Sequence, residues 1–112
     1  MTVTLALTLT AALRFLPAPA IVAMLADSAG MAPRQAACMV QAESRWDTLA
    51  VGALGERGLW QIHPTTWQFA REKMCADTSF DLAFDPLENT RTAVWLIANG
   101  YGEWWTSWRG CK

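Results

Sequence analysis

The sequence predicts a mainly α-helical (α+β) domain that contains a small Gly-rich β-hairpin region around residues 50–62. Apolar residues recur at helical spacing in several segments, and residues typical of helix ends bound those segments. Between them, Gly52, Gly55 and Gly58 recur every three residues, which favours tight turns or a small hairpin over a helix. With 112 residues, 53% of them hydrophobic, the chain has the size and composition of one compact domain.

The helix boundaries are predicted from the residues at their ends. Proline fits the first turn of a helix, where its missing N–H costs nothing, and glycine after a helix favours the conformation that ends it. Asp85, Pro86 and Glu88 form the pattern of an N-cap followed by a capping box. These signals predict helices over residues 20–29, 33 to about 44, 64–74, and 86 to a stop at 99–100, then an aromatic-rich turn over 104–108.

Composition and charge exclude several classes of protein. Nine Lys and Arg against ten Asp and Glu give a formal charge of −1, so strong phosphate-driven nucleic-acid binding is not expected. One histidine and the lack of a C-x-x-C pair argue against a structural zinc site, and we expect neither a metal nor a cofactor. Seven tryptophans are the unusual feature, and the composition alone allows either a core or a site that stacks flat rings.

Residues 1–20 are predicted to be a signal or leader segment, and residues 21–112 the domain. An apolar run ends in Pro-Ala-Pro-Ala at positions 17–20, which is similar to a secretory signal with its small-residue cleavage site. Arg14 interrupts the run, which leaves two alternatives open: a cleaved signal, or a leader helix packed on the domain. A permanent anchor ranks third, because a spanning helix needs about 20 apolar residues, so no stable membrane span is expected.

The three cysteines, Cys38, Cys75 and Cys111, are widely spaced. If the protein leaves the cytosol, one disulfide and one free thiol is the expected state. If it does not, three reduced thiols are expected.

Glu43 is the candidate catalytic residue. It lies near the end of a largely apolar helix, directly before the Gly-rich segment, with Trp46 three residues later. A carboxylic acid among apolar neighbours favours its protonated form and is then able to donate a proton to a leaving oxygen. Spacing alone, however, favours the simpler interpretation of a helix-end glutamate in solvent.

The segment from Gly55 to Trp67 reads G-E-R-G-L-W-Q-I-H-P-T-T-W. It resembles the G-x-x-G-L-x-Q-I-x-P-x-T-W motif of lytic transglycosylase (SLT) domains of the lysozyme superfamily. The preceding Glu43-Ser44 matches that family's Glu-Ser, the site of its sole catalytic carboxylate. A later block, F-D-P-L-E-N over residues 84–89, is similar to one in phage and actinobacterial members. The resemblance covers about residues 20–111 and implies a lysozyme-like fold with Glu43 as general acid and base.

The resemblance also implies residues that bind the substrate: Ser44, Trp60, Gln61, His63, Tyr101 and Trp105. Trp60 is expected to stack on a sugar face. Gln61 points either toward the sugar amides or to the hairpin backbone, and both alternatives stay open. For His63, an N-cap or exposed turn is favoured over proton transfer.

A second resemblance, to animal-type lysozymes, concerns the cysteines. In those enzymes a cysteine five residues before the catalytic glutamate bonds to one in a C-terminal Trp-x-x-Trp region. Cys38 lies five residues before Glu43, and Cys111 follows W-T-S-W at positions 105–108. The resemblance therefore implies a Cys38–Cys111 disulfide with Cys75 free, worth about 2–4 kcal/mol by the loop-entropy model.

The expected function is cleavage of the β-1,4 bond between N-acetylmuramic acid and N-acetylglucosamine in peptidoglycan glycan strands. A single glutamate implies a lytic transglycosylase that forms a 1,6-anhydro product. The alternatives are a lysozyme-type hydrolase assisted by Glu56 or Asp47, a sugar-binding module without turnover, and a secreted interaction protein with a docking patch of Trp104, Trp105 and Trp108. We expect a monomer that acts outside the cytoplasm or is delivered by a phage.

Overall fold

The structure is a computed structural model that describes residues 12–112. The mainly helical fold class is confirmed, and the predicted helix boundaries are met within one or two residues. The α-helices with both ends in this part are α1 (Ala18–Ser28), α2 (Pro33–Ser44), α3 (Pro64–Lys73), α4 (Pro86–Ala98) and α5 (Ser107–Gly110). Two short 3-10 helices, Phe80–Phe84 and Gly102–Trp104, precede α4 and α5 respectively.

The ends of the helices follow the local rules that predict them. The Asp85 side chain accepts a hydrogen bond from the Glu88 N–H at 2.9 Å, so the predicted N-cap of α4 is present. Proline occupies the first or second position of α1, α2, α3 and α4. At the N-terminus of α3, the His63 side chain accepts from the Thr65 N–H.

Helix α4 lies at the centre of the fold. It contacts α1, α3 and both 3-10 helices, and eight of its thirteen residues are buried. A helix buried on most of its surface needs partners for its polar side chains. Glu88 has them, because its carboxylate accepts from the buried Arg71 at 3.0 Å and also from Arg91.

The Gly-rich region is a tight hairpin-like loop fastened to α4. It contains two isolated antiparallel bridges, Val51 with Arg57 and Arg57 with Ile62. The buried Asn89 of α4 accepts from the Trp60 N–H at 2.9 Å, and it donates to the carbonyls of Arg57 and Ala83 at 3.0 and 2.8 Å. These three bonds fix the loop against the core and thereby position residues 52–62.

The N-terminal part of the described chain also contacts this core. Of the predicted leader segment, residues 1–11 lie outside the described residues. Arg14 donates to Asp85 and to Glu88, each at 3.1 Å, and α1 begins at Ala18. The division at residue 20 stays a prediction. Within residues 12–112, no helix combines the length and apolar character needed to cross a bilayer.

Candidate active site

A surface cavity of about 350 Å³ lies where α2, the Gly-rich loop, the start of α3 and the segment before α5 meet. Its volume falls in the range of about 300–1,000 Å³ that is usual for ligand pockets. Both acidic and aromatic side chains line it. The lining residues are Glu43, Leu54, Glu56, Gln61, Ile62, His63, Thr66, Trp104, Trp105 and Thr106.

Glu43 reaches the cavity from the last turn of α2. The helix stops one residue later because Arg45 and Trp46 both adopt left-handed backbone conformations, with φ of 52° and 66°. Such conformations cost non-glycine residues about 1–2 kcal/mol each, and this sharp reversal leaves the carboxylate at the helix end. Glu43 Oε2 accepts a hydrogen bond of 2.7 Å from the Ser107 hydroxyl, and the residue is half-buried.

The Gly-rich loop supplies a second carboxylate and an amide to the cavity. Glu56 Oε1 accepts from the Leu54 N–H at 2.7 Å. Gln61 Nε2 donates to the carbonyls of Ala50 and Gly58, so the loop backbone occupies its amide nitrogen. Both side chains converge over Gly52, where an added Cβ would lie 2.7 Å from Gln61 Oε1 and 2.9 Å from the Glu56 carboxylate. A Cβ at this position would therefore require these two side chains to shift.

The start of α3 forms the third wall. His63 Nδ1 lies 2.9 Å from the Thr65 hydroxyl and accepts from the Thr65 N–H at 3.2 Å. His63 is therefore the N-cap of α3, which is the interpretation that the sequence favours. It also borders the cavity. Thr66 lines the cavity beside it.

Tryptophans form the fourth wall. Trp105 is 8% exposed, and its indole N–H donates to the Trp60 carbonyl at 2.7 Å. Trp104 is 55% exposed and is supported from behind by Tyr101 and Phe69, with ring centroids 4.5 and 5.8 Å away. A rigid, half-exposed indole beside polar groups is well suited to contact the flat face of a sugar.

Comparison with known families adds to this geometry. Residues 21–111 match the family model described as the transglycosylase SLT domain. The chain belongs to the SLT transglycosylase domain family. A search of curated proteins and a search of solved structures each gave no match.

The SLT domain brings four of the predicted site residues together at the cavity: Glu43, Gln61, His63 and Trp105. Ser44 does not line it, because its hydroxyl donates back to the Val40 carbonyl within α2. Tyr101 lies behind Trp104 and does not line the cavity either.

The expected stacking of Trp60 on a sugar is wrong. Its side chain is fully buried, its indole N–H donates to the Thr90 hydroxyl, and it packs edge-on against Trp105. Trp60 is a core residue, whereas the next residue, Gln61, has a left-handed backbone with φ of 48° and places its side chain at the cavity. Leu59 and Ile62 are buried as well, so this part of the loop packs largely into the core.

Several cavity residues were not predicted as site residues. Leu54 and Thr106 lie outside the quoted motifs, and Thr66, although it is the threonine of the T-W pair, carries no predicted site role. Trp104 was assigned only to a docking patch, although its exposure and aromatic support place it at the cavity. Ser107 contacts Glu43 across 64 residues of chain, a separation that local patterns do not reveal.

The structure joins Cys38 and Cys111 in a disulfide with Cα atoms 5.6 Å apart, and Cys75 is free and exposed. The bond links α2, which carries Glu43, to the end of α5. Within residues 12–112, no group of three or more His, Cys, Asp or Glu side chains is arranged to hold a metal ion.

Proposed function

We propose that this SLT domain is a lytic transglycosylase that cuts the MurNAc-β-1,4-GlcNAc bond of peptidoglycan, with Glu43 as its single acid and base. The observation that carries the proposal is the position of Glu43. It lies in the Glu-Ser pair of the family motif, and it borders one cavity with Gln61 and His63 of the second motif. Membership of the family supports peptidoglycan as the substrate.

The proposed reaction needs one carboxyl group acting twice. Protonated Glu43 gives its proton to the glycosidic oxygen as the bond from that oxygen to the MurNAc C1 breaks. The N-acetyl group of the same sugar shields C1. The Glu43 carboxylate then removes the proton from the 6-hydroxyl as that oxygen bonds to C1. The products are a 1,6-anhydro end and a new GlcNAc end, and Glu43 is again protonated.

Substrate binding is assigned to the polar and aromatic walls of the cavity. The Gln61 amide oxygen is the part of that side chain left for a sugar amide N–H, since its nitrogen bonds the loop. Trp104 provides an exposed ring backed by Tyr101 and Phe69. Trp105, with its indole N–H already bonded, contributes shape rather than a hydrogen bond.

A lysozyme-type hydrolase is the second candidate, and the position of Glu56 favours it. Glu56 lines the same cavity as Glu43, and a second carboxylate there would assist an attacking water or stabilise charge at C1. Asp47 is the weaker partner for this route. Its carboxylate accepts from the Leu49 N–H at 2.9 Å, and it does not line the cavity.

Digestion of purified peptidoglycan followed by mass spectrometry of the muropeptides tests both routes. Glu43→Gln is the active-site variant, Glu56→Gln tests the hydrolase route, and Glu72→Gln, an exposed glutamate of α3, is the matched control. Anhydro ends, lighter than reducing ends by one water, with activity lost only in Glu43→Gln, are the expected result. Reducing ends and loss of activity in Glu56→Gln would establish the hydrolase instead. Equal polymer pull-down without product from wild type and Glu43→Gln would favour a binding module.

We propose that the protein acts outside the cytoplasm, or that a phage delivers it to the cell wall. Peptidoglycan is extracytoplasmic, and a disulfide whose Cys38 is exposed persists in an oxidising compartment. A monomer is expected, which sedimentation of the purified protein would test. Nucleic acid is not expected as a partner, given the formal charge of −1, and no cofactor is proposed.

A further inference from the structure

The segment that bears Ser107 has little support of its own. Helix α5 has four residues, none of them buried, and a helix this short is not stable in isolation. It is held by contacts with α2 and with the Gly102–Trp104 helix. At the second of these contacts, the Trp108 ring lies so close over Gly102 that an added Cβ there would be 2.8 Å from it.

The Cys38–Cys111 disulfide is the covalent link between this segment and α2. Cys38 precedes Glu43 by five residues on α2, and Cys111 follows Ser107 by four residues. The bond therefore joins the helix that carries the acid to the segment that carries its hydrogen-bond donor. Its Cα–Cα distance of 5.6 Å keeps these two backbones close.

Ser107 contacts the carboxylate from outside the cavity. Its hydroxyl donates to Glu43 Oε2 at 2.7 Å, and it does not line the cavity that Glu43 borders. In the described part of the chain, no other side chain or backbone group hydrogen-bonds the Glu43 carboxylate. The rotamer of Glu43 is therefore fixed by this one contact together with its own packing.

We propose that Ser107 is a positioning residue for Glu43, and that the Cys38–Cys111 disulfide holds it in place so that reduction of this bond lowers turnover. The inference rests on the proposed function of Glu43 as acid and base. Misplacement of a catalytic group by about 1 Å is sufficient to lower a rate about a hundredfold, so one lost contact has a measurable effect.

The disulfide is accessible to a reductant. Cys38 is exposed, and both half-cystines line a second surface cavity of about 400 Å³ away from Glu43. A small dithiol attacks one sulfur, and its second thiol then closes to a cyclic disulfide. Two electrons and two protons pass to Cys38 and Cys111, which become thiols.

The first test compares Ser107→Ala and Ser107→Thr in a Cys75→Ser background, which prevents thiol exchange. Loss of the hydrogen bond that orients the Glu43 carboxyl group predicts a fall in kcat of about tenfold for the alanine variant, with KM changed by less than about twofold. Threonine keeps the hydroxyl and is expected to restore most of kcat. Ser28→Ala is the matched control, since that exposed hydroxyl donates only to the Leu25 carbonyl. Wild-type kcat in Ser107→Ala overturns the proposal.

The second test asks whether the disulfide acts through Ser107. Reduction of the native protein, and the Cys38→Ala/Cys111→Ala variant, are expected to lower kcat at least as much as Ser107→Ala does. Adding Ser107→Ala to the reduced protein should then change kcat by less than about twofold, because the contact is already lost. If the kcat losses from reduction and from Ser107→Ala multiply instead, the disulfide affects turnover by a route other than Ser107. Circular dichroism before and after reduction tests whether the protein stays folded, and reoxidation should restore activity.

A nuclear magnetic resonance measurement that does not depend on turnover separates this inference from the proposed function. The carbon-13 signal of the Glu43 side-chain carboxyl, assigned with Glu43→Gln, should shift in Ser107→Ala and shift in the same direction on reduction. An unchanged signal in either case overturns the inference. If wild type releases no more product than Glu43→Gln, the proposed function fails while the carboxyl signal still decides whether Ser107 positions Glu43.

Discussion

Asn89→Ala removes the three hydrogen bonds that hold the Gly-rich loop on α4. Asn89 is fully buried, and the change removes the side-chain hydrogen-bond partner of the Trp60 N–H and of the Ala83 and Arg57 carbonyls. An unpaired buried donor or acceptor costs about 1–3 kcal/mol. Two of the three contacts are wholly buried, so the expected loss in the free energy of unfolding is about 4 kcal/mol.

Urea unfolding followed by far-ultraviolet circular dichroism measures this loss. With a slope of about 1–3 kcal/mol per molar urea, the midpoint should fall by about 2 M. Asn89→Asp keeps the acceptor for the Trp60 N–H but removes both donors and places a carboxylate beside two carbonyl oxygens. It should therefore destabilise the protein at least as much as alanine does, although it has nearly the same size.

Asn99→Ala is the matched control. Asn99 is exposed at the end of α4, where its amide donates to the Trp95 carbonyl, and a change there should cost about 0.5 kcal/mol or less. If Asn89→Ala costs less than about 1 kcal/mol, water or a shifted loop replaces its bonds. The reasoning that fixes the loop through Asn89 would then be refuted.

Three further predictions use the same unfolding assay or the digestion assay. Gly58→Ala should lower the free energy of unfolding by about 3 kcal/mol or more, because the added Cβ would overlap the Ala83 carbonyl oxygen. Its control, Gly30→Ala, has a similar positive φ but open space around it and should lower the same quantity by only about 1 kcal/mol. Glu88→Gln leaves a buried arginine without its countercharge and should cost about 3 kcal/mol, measured by the shift of the urea midpoint. Trp104→Ala should raise KM for peptidoglycan about tenfold with little loss of stability, whereas Trp60→Ala should lower stability by about 3–5 kcal/mol. Similar stability losses for the two tryptophan variants would contradict their assignment to surface and core.

The helices were predictable because their ends are encoded locally. The start of α4 at Pro86 follows from Asp85 and its bond to the Glu88 N–H, all within four residues of sequence. The 3-10 helix Phe80–Phe84 was not predicted, since it has no comparable cap: Ser79 makes no side-chain bond to it. Its position depends on contacts with α3 and α4, which are tertiary.

The candidate site was predictable only where a motif concentrates it. Gln61 and His63 lie in one thirteen-residue motif, and Glu43 lies in the Glu-Ser pair before it, so the resemblance identifies all three as candidates. Trp104 enters the site because Tyr101 and Phe69 support its ring, and this support requires α3 and the C-terminal segment to be folded side by side. Contacts between distant segments leave no periodic signal in the sequence.

Composition alone does not decide whether the tryptophans belong to the core or to the site. Two of them, Trp60 and Trp105, connect the core to the cavity wall. Trp60 is buried, while the next residue, Gln61, lines the cavity. Trp105 lines the cavity as well, and its indole N–H is bonded to the Trp60 carbonyl at 2.7 Å. Because the cavity wall is thus hydrogen-bonded directly to the core, Trp105 needs no other partner for its indole N–H, and its ring contributes an apolar surface to the cavity. The motif therefore places a core tryptophan next to a glutamine that lines the cavity, because one loop contributes to both the core and the cavity wall.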